Sequence, residues 1–212
     1  GRTLMVKQEA EEGRVAVMDA VLFNARGEVA ASLQPFYSHS DFAFEPLADQ
    51  LWQGTFHLDG GAILQGLHAA PKTAVRYDAM LRTCRTVCPD GTERRIVYEP
   101  LLSRAYDEND SDPQSPFADT PMVQHYDGLE RLVRADEIVR LKDDGTPSPS
   151  LQTWSTHYSY RPDNALVRIV DSQNNVTRFE YDALGRKTFM DHPDRGVMSW
   201  VYDAAGNVTT TT

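Results

Sequence analysis

Cysteine is scarce in this chain: its 212 residues include only Cys84 and Cys88. Four positions apart on an extended strand, the two would stand about 13 Å from each other on one face, too far for a disulfide. No second cysteine pair and no histidine pair at ligand spacing completes a zinc site, so both read as free, half-buried thiols. Positive charge is also short, with 21 Lys and Arg against 31 Asp and Glu for a net charge of −10. The cations are scattered. A nucleic-acid platform needs a clustered basic face, and so does electrostatic docking on an anionic membrane; the sequence argues against both. No apolar run approaches the ~20 residues of a membrane-spanning helix, which excludes helical insertion by this segment. The opening GRTLMVKQEAEEG is polar and acidic where a signal peptide would be apolar. What remains, 41% hydrophobic and 25% charged, is the composition of a folded domain, with mass enough for one large or two small ones.

What the chain does contain is a repeat. Laying Tyr77–Tyr98 over Tyr181–Tyr202 matches eight of 22 positions: the Tyr-Asp-Ala start, the Arg five residues after the Tyr, Pro-Asp in the middle and Val-Tyr at the end. Tyr160, Tyr181 and Tyr202 stand 21 apart, as do Tyr77 and Tyr98. Degenerate copies start at Phe23-Asn24-Ala25-Arg26-Gly27 and at Tyr126-Asp127-Gly128-Leu129-Glu130-Arg131. The 34-residue step from Tyr126 to Tyr160 holds a polar insertion, Lys142 to Ser150, which predicts a loop over about 142–152.

Each unit reads as one β-hairpin. Asp182 or Asn24 caps a tight turn through its side chain, and Gly27, Gly185 or Gly206 supplies the positive φ that closes it. A strand follows, then a second turn at Pro89-Asp90-Gly91 or Asn174-Asn175, then a return strand such as Val197 to Tyr202. Phe179 and Tyr181, like Trp200 and Tyr202, lie two apart and so share a face. The only competing helix, Leu129 to Leu141, is short and lies within the repeat register. A lone hairpin is marginal in water, but stacked units bury a shared face and pair their edges. The expectation is an all-β fold: consecutive antiparallel hairpins forming a curling sheet. A divergent β-rich lead-in, residues 1–71 with the degenerate first repeat, precedes a repeat region at 72–212. The strand-like Thr209 to Thr212 has no return strand, so the repeats are expected to continue beyond it.

The motifs Tyr77-Asp78-Ala79, Tyr181-Asp182-Ala183-Leu184-Gly185-Arg186 and Tyr202-Asp203-Ala204-Ala205-Gly206-Asn207 resemble the YD repeat of the Rhs family. Pro89-Asp90-Gly91-Thr92-Glu93, with Tyr98-Glu99-Pro100 and Tyr106 to Asp110 after it, is similar to the middle region of insecticidal toxin complex B components and SpvB-type virulence proteins. The stretch from Val21 to Tyr37 is similar to the segment preceding the repeats there. The resemblance implies a secreted or bacterial cell-surface protein whose hairpins wall a hollow shell around a toxin effector. Its partners would be the rest of a longer chain and the effector or toxin-complex subunits. A self-cleaving aspartyl segment with a DPxGL-like core ends some of these shells. It has no counterpart in this sequence, and no protease residues carry over.

No catalytic, cofactor-binding or metal residue is assigned, and the segment is expected not to be an enzyme. Asp107-Glu108-Asn109-Asp110-Ser111-Asp112 could begin a calcium loop through alternate oxygens, but the sixth-position glycine and twelfth-position acid are missing, so it reads as a solvated turn. The six histidines, His39, His57, His68, His125, His157 and His192, show no metal-ligand spacing and flank no nucleophile motif. His57 and Asp59 would share a face of a strand and read as a surface pair. Gly60-Gly61 is followed by no phosphate-loop lysine. Trp154, Tyr158, Tyr160, Phe179, Trp200 and Tyr202 leave an alternative function open: a carbohydrate- or receptor-binding module. Their two-residue spacing is more simply the packed face of the hairpins.

Overall fold

A computed structural model describes residues 3–37, 42, 55–57, 63–65, 71–141 and 145–212. The chain forms two compact units, Gly1–Ile96 and Val97–Thr212. Both are built from antiparallel hairpins, so the fold class is the all-β one expected, an open sheet of consecutive hairpins.

The first unit begins with β1 (Val6–Glu9), a 3-10 turn at Glu11–Gly13 and β2 (Val15–Met18). It continues through β3 (Val21–Phe23), β4 (Val29–Leu33) and β5 (Phe36–Tyr37), then β6 (Thr55–His57) and β7 (Ile63–Gln65). Next come β8 (Lys72–Tyr77), β9 (Thr83–Val87) and β10, whose span Glu93–Glu99 runs past the unit's end. Strands β1, β2 and β5 form a small sheet, β6 and β7 pair with each other, and β3, β4, β8, β9 and β10 pair in that order. Val17, Ala20, Leu33 and Phe36 are buried together, with Met5 and Leu22 packed against them. That cluster is a hydrophobic core of the unit's described residues.

In the second unit every strand is antiparallel to the next. The order is β11 (Leu102–Tyr106), a one-turn helix α1 (Glu108–Ser111), β12 (Met122–Tyr126), β13 (Leu132–Leu141), β14 (Pro147–Tyr160), β15 (Leu166–Val170), β16 (Val176–Tyr181), β17 (Lys187–His192), β18 (Gly196–Tyr202) and β19 (Val208–Thr211). Leu132 to Leu141 is strand, not helix.

The loop expected over about 142–152 is shorter than the sequence implied, because strand resumes at Pro147; residues 142–144 lie outside the described residues. Proline misled that reading for a physical reason. Strand β15 pairs with β14 only from His157 to Tyr160, whereas β13 pairs with it as far as Pro147. The outer half of β14 thus borders a partner on one side only, and an edge tolerates a residue with no N–H to donate.

Turn chemistry sets the hairpins. At Asp182 the backbone N–H bonds the Arg186 carbonyl at 2.9 Å and the Gly185 N–H returns to the Asp182 carbonyl at 3.1 Å. The fourth residue of each such turn has positive φ: Gly27, Leu81, Gly91, Glu130, Asn164, Asn174, Gly185 and Gly206. At the turns that follow a repeat tyrosine the register slips by one residue, as between Glu180 and Tyr181 or Val201 and Tyr202, whereas the hairpin closed at Asn174 keeps its register. A type I turn followed by a left-handed residue and a bulge produces this pattern in a three-residue hairpin loop.

Candidate functional site

The repeat signature Tyr-Asp-x-x-x-Arg is a clasp between neighbouring hairpins, and each of its side chains has one task. The tyrosine closes a strand. Tyr77 donates its hydroxyl hydrogen to the Val29 carbonyl at 3.0 Å, Tyr160 to that of Leu132 at 2.9 Å, Tyr181 to that of Leu166 at 2.9 Å and Tyr202 to that of Lys187 at 2.7 Å. In all four the acceptor is the first residue of the preceding, paired strand. Tyr160, Tyr181 and Tyr202 therefore stand in equivalent settings on successive hairpins. Burial raises the Tyr160 and Tyr181 phenols above the ordinary range.

The aspartate builds the turn. One carboxylate oxygen of Asp182 accepts the Leu184 and Arg186 N–H groups, each at 2.9 Å, and the other accepts Nε of Arg186 at 2.6 Å. Asp78 and Asp127 repeat this with Arg82 and Arg131, and Asp171 and Asp203 use Asn175 and Asn207. All five carboxyls are held below the usual range. At Asp182 desolvation opposes this and is outweighed by the bonds from Arg186 and Leu184. At Asp127 the Arg131 side chain is the main cause, and at Asp78 the Arg82 backbone N–H is.

The arginine crosses to the next hairpin. Held by its aspartate, Arg186 lies 4.7 Å from the Tyr202 ring centroid and donates to the Asp203 carbonyl at 3.2 Å. Arg131 lies 5.1 Å from the Tyr160 ring and donates to the Arg161 carbonyl at 3.2 Å. In the first unit Arg26, from the degenerate repeat, reaches the Ala79 carbonyl at 3.2 Å. Guanidinium over an aromatic face, with a carboxylate behind it, is a favourable arrangement that lysine reproduces poorly. A cleft of about 620 Å³ lies between these two turns of the first unit, lined by residues including Arg26, Val75, Arg76, Tyr77 and Leu81.

Residues directly opposite in a sheet share a face, so pairing register assigns both faces of the second unit. Trp154, Tyr158, Phe179, Met190, Met198 and Trp200 lie on one, and Arg134, Asp136, Ser155, His157, Arg168 and Arg178 on the other. Trp154 is 44% exposed. The polar face holds a network the sequence analysis did not find. His125 Nε2 is 2.9 Å from Asp136 Oδ2 and 2.8 Å from an Arg134 guanidinium nitrogen, and Ser155 Oγ donates to Asp136 Oδ1 at 2.7 Å. Both the serine and the histidine address the aspartate; no serine–histidine bond forms, so this is not a nucleophile–base pair. Desolvation pushes the Asp136 carboxyl up, but bonds from Ser155 and His125 and the charge of Arg134 bring it below the ordinary range.

The Asp107–Asp112 cluster is a capping box, not a cation loop. Asp107 Oδ1 accepts the Asp110 N–H, and Asp110 Oδ2 accepts the Asp107 N–H, both at 2.9 Å. Asp112 accepts the Gln114 N–H at 2.9 Å. Asp110 Oδ1 accepts the Thr120 hydroxyl at 2.6 Å, and no metal-binding group of three His, Cys, Asp or Glu occurs among the described residues. Cys84 and Cys88 are free. His39, Asp59, Gly60-Gly61 and His68 lie outside the described residues, as does the His57 side chain.

No family model matches the chain, and no curated protein is similar to it at a significant level. Solved structures are. A crystal structure of TcdB2-TccC3-TEV aligns over 98% of this chain with a TM-score of 0.74 and 19% identity, and one of TcdB2-TccC3-Cdc42 with a TM-score of 0.72 and 19% identity. A Photorhabdus luminescens Tc holotoxin pore aligns over 98% with a TM-score of 0.56 and 16% identity. The chain spans only 10% of the two TcdB2-TccC3 chains and 11% of the third. Its fold is that of one part of these toxin-complex chains.

Proposed function

We propose that this chain is a wall segment of a toxin-complex shell of the YD-repeat kind: a scaffold that encloses an effector and performs no bond chemistry itself. The observation that carries the reading is the clasp. Where the Tyr, Asp and Arg occur together, at Arg131 and Arg186, they link a turn to the next hairpin, which suits a surface that must stay closed more than one that must move. The likeness in fold to TcdB2-TccC3 structures supports a toxin-complex setting. On this reading the chain is part of a longer secreted polypeptide, and its partners are the remaining wall, the effector and other toxin-complex subunits.

The experiment is limited proteolysis of the complete polypeptide that carries this segment, with its effector. Enclosure predicts that the effector resists protease in the intact protein and becomes cleavable when Arg131 and Arg186 are both changed to Ala. An effector cleaved as fast in the intact protein as when free would reject the proposal. A second reading, glycan or receptor recognition, draws on the shared face of Trp154, Tyr158, Phe179 and Trp200. It predicts binding on a glycan array that Trp154→Ala removes, and enclosure predicts no binding there.

A further inference from the structure

One nitrogen on the polar face of the second unit meets opposite demands. His125 Nε2 lies 2.8 Å from an Arg134 guanidinium nitrogen, which can only donate, and 2.9 Å from Asp136 Oδ2, which as a carboxylate can only accept. An imidazole nitrogen carries either a lone pair or a hydrogen, so it serves one of these partners at a time. The two partners also touch each other, at 2.9 Å. Asp136 is nearly buried and tied by Ser155 at 2.7 Å, so it is the fixed point. Arg134 is the loose one: its side chain is 42% exposed, and its Nε is buried with no hydrogen-bond partner.

We propose that His125 is a proton-operated switch. With a neutral ring Nε2 accepts from Arg134; with a protonated ring the same nitrogen donates to Asp136, and Arg134 swings away. The balance is simple. One proton is taken from solvent, one hydrogen bond to the ring is exchanged for another, and the charge added at His125 repels the adjacent guanidinium. Asp136 remains the anion in both states.

The surroundings agree with an exchange confined to this triangle. On β11 the residue opposite His125 is Leu102, and the charge nearest to it, Arg104, lies opposite Val123 and is paired with Glu99. On β13 the facing charges are Arg134 and Asp136 themselves. On β14 the facing groups are the uncharged Ser155, opposite Asp136, and His157, opposite Arg134. His157 is a second imidazole beside Arg134, so it must be controlled for.

The test is nitrogen-15 NMR of the imidazole and guanidinium groups between pH 8 and pH 5, with His157→Gln as a background. The expected result is a bare Nε2 at pH 8 and a protonated one at pH 5. Protection of the Arg134 guanidinium hydrogens, taken against the base-catalysed exchange of free arginine at the same pH, should fall roughly tenfold across the same transition, the equivalent of losing one ordinary hydrogen bond. A ring that keeps its hydrogen on Nε2 at pH 8 would overturn the proposal, as would Arg134 protection that does not follow the ring. Neither readout depends on a variant of the triangle folding.

Discussion

Tyr181→Phe isolates one strut of the repeat. The substitution keeps the ring and its packing and deletes a single hydroxyl, which donates to the Leu166 carbonyl at 2.9 Å in a half-buried setting. A hydrogen bond of this kind contributes about 1 kcal/mol net, with a further cost where a buried carbonyl is left without a partner. For a unit of this size about 1 kcal/mol lowers the melting temperature by roughly 4 °C. Urea unfolding followed by far-UV circular dichroism and tryptophan fluorescence should show a lower midpoint at unchanged slope, because the surface exposed on unfolding is the same. Tyr126→Phe is the matched control: its hydroxyl donates to the Gln124 side chain at 3.0 Å, a partner able to turn to water. Its midpoint should move much less. Tyr160→Phe and Tyr202→Phe should each behave like Tyr181→Phe, and the triple variant should lose about 3 kcal/mol if the sites act independently. An unchanged midpoint for Tyr181→Phe, or an equal loss for Tyr126→Phe, would refute the claim that each tyrosine hydroxyl ties the two strands of its hairpin together.

Arg186→Lys keeps the charge but loses the planar fork that holds Asp182 while covering Tyr202; it should lower the urea midpoint, whereas Arg168→Lys, on the open polar face, should leave it alone. Glu130→Gly should raise stability by roughly 1 kcal/mol in thermal unfolding, because Glu130 holds φ 61° in a region that costs L-residues about that much and glycine little. Acid should destabilise the chain in a set direction. The turn aspartates have folded pKa values below the ordinary value of a free aspartate, so their contribution is present above that value and lost as pH falls through the lower, folded one. Unfolding midpoints should therefore decline below about pH 4, and Asp127→Asn with Asp182→Asn should flatten that decline.

Much of this architecture was legible because turns make strict local demands. A hairpin that closes on a left-handed residue favours Gly or Asn at a fixed place and an Asx side chain three residues earlier, so Asp182-Ala183-Leu184-Gly185 marks itself. Leu81 and Glu130 occupy that place without being marked, and only the surrounding register reveals them. The arginine five residues after the tyrosine was visible as a repeated letter in Arg82, Arg131 and Arg186. Its crossing to the next hairpin was not, because that contact joins residues 16 to 29 positions apart, from Arg186 to Tyr202 and from Arg131 to Tyr160. Strand alternation yields two faces, but ordering them across the sheet requires pairing register and bulges. The His125–Asp136 contact left no trace for the same reason: a gap of 11 residues means nothing until the β12–β13 hairpin sets it. Polar residues and prolines read as loop at 147–152, although a one-sided edge accommodates them as strand.

The spacing of successive turns tests the central claim most directly. Asp163, Leu184 and Ala205 occupy the same place in three consecutive turns at one end of the strands. Nitroxide labels at positions 163 and 205, on a background with Cys84 and Cys88 changed to Ser, can be measured by double electron–electron resonance. Four strand steps of about 4.8 Å predict a narrow distribution near 19 Å between the backbones. A distribution centred beyond about 30 Å, or one without a defined maximum, would contradict a sheet in which each tyrosine-led hairpin lies against its neighbour.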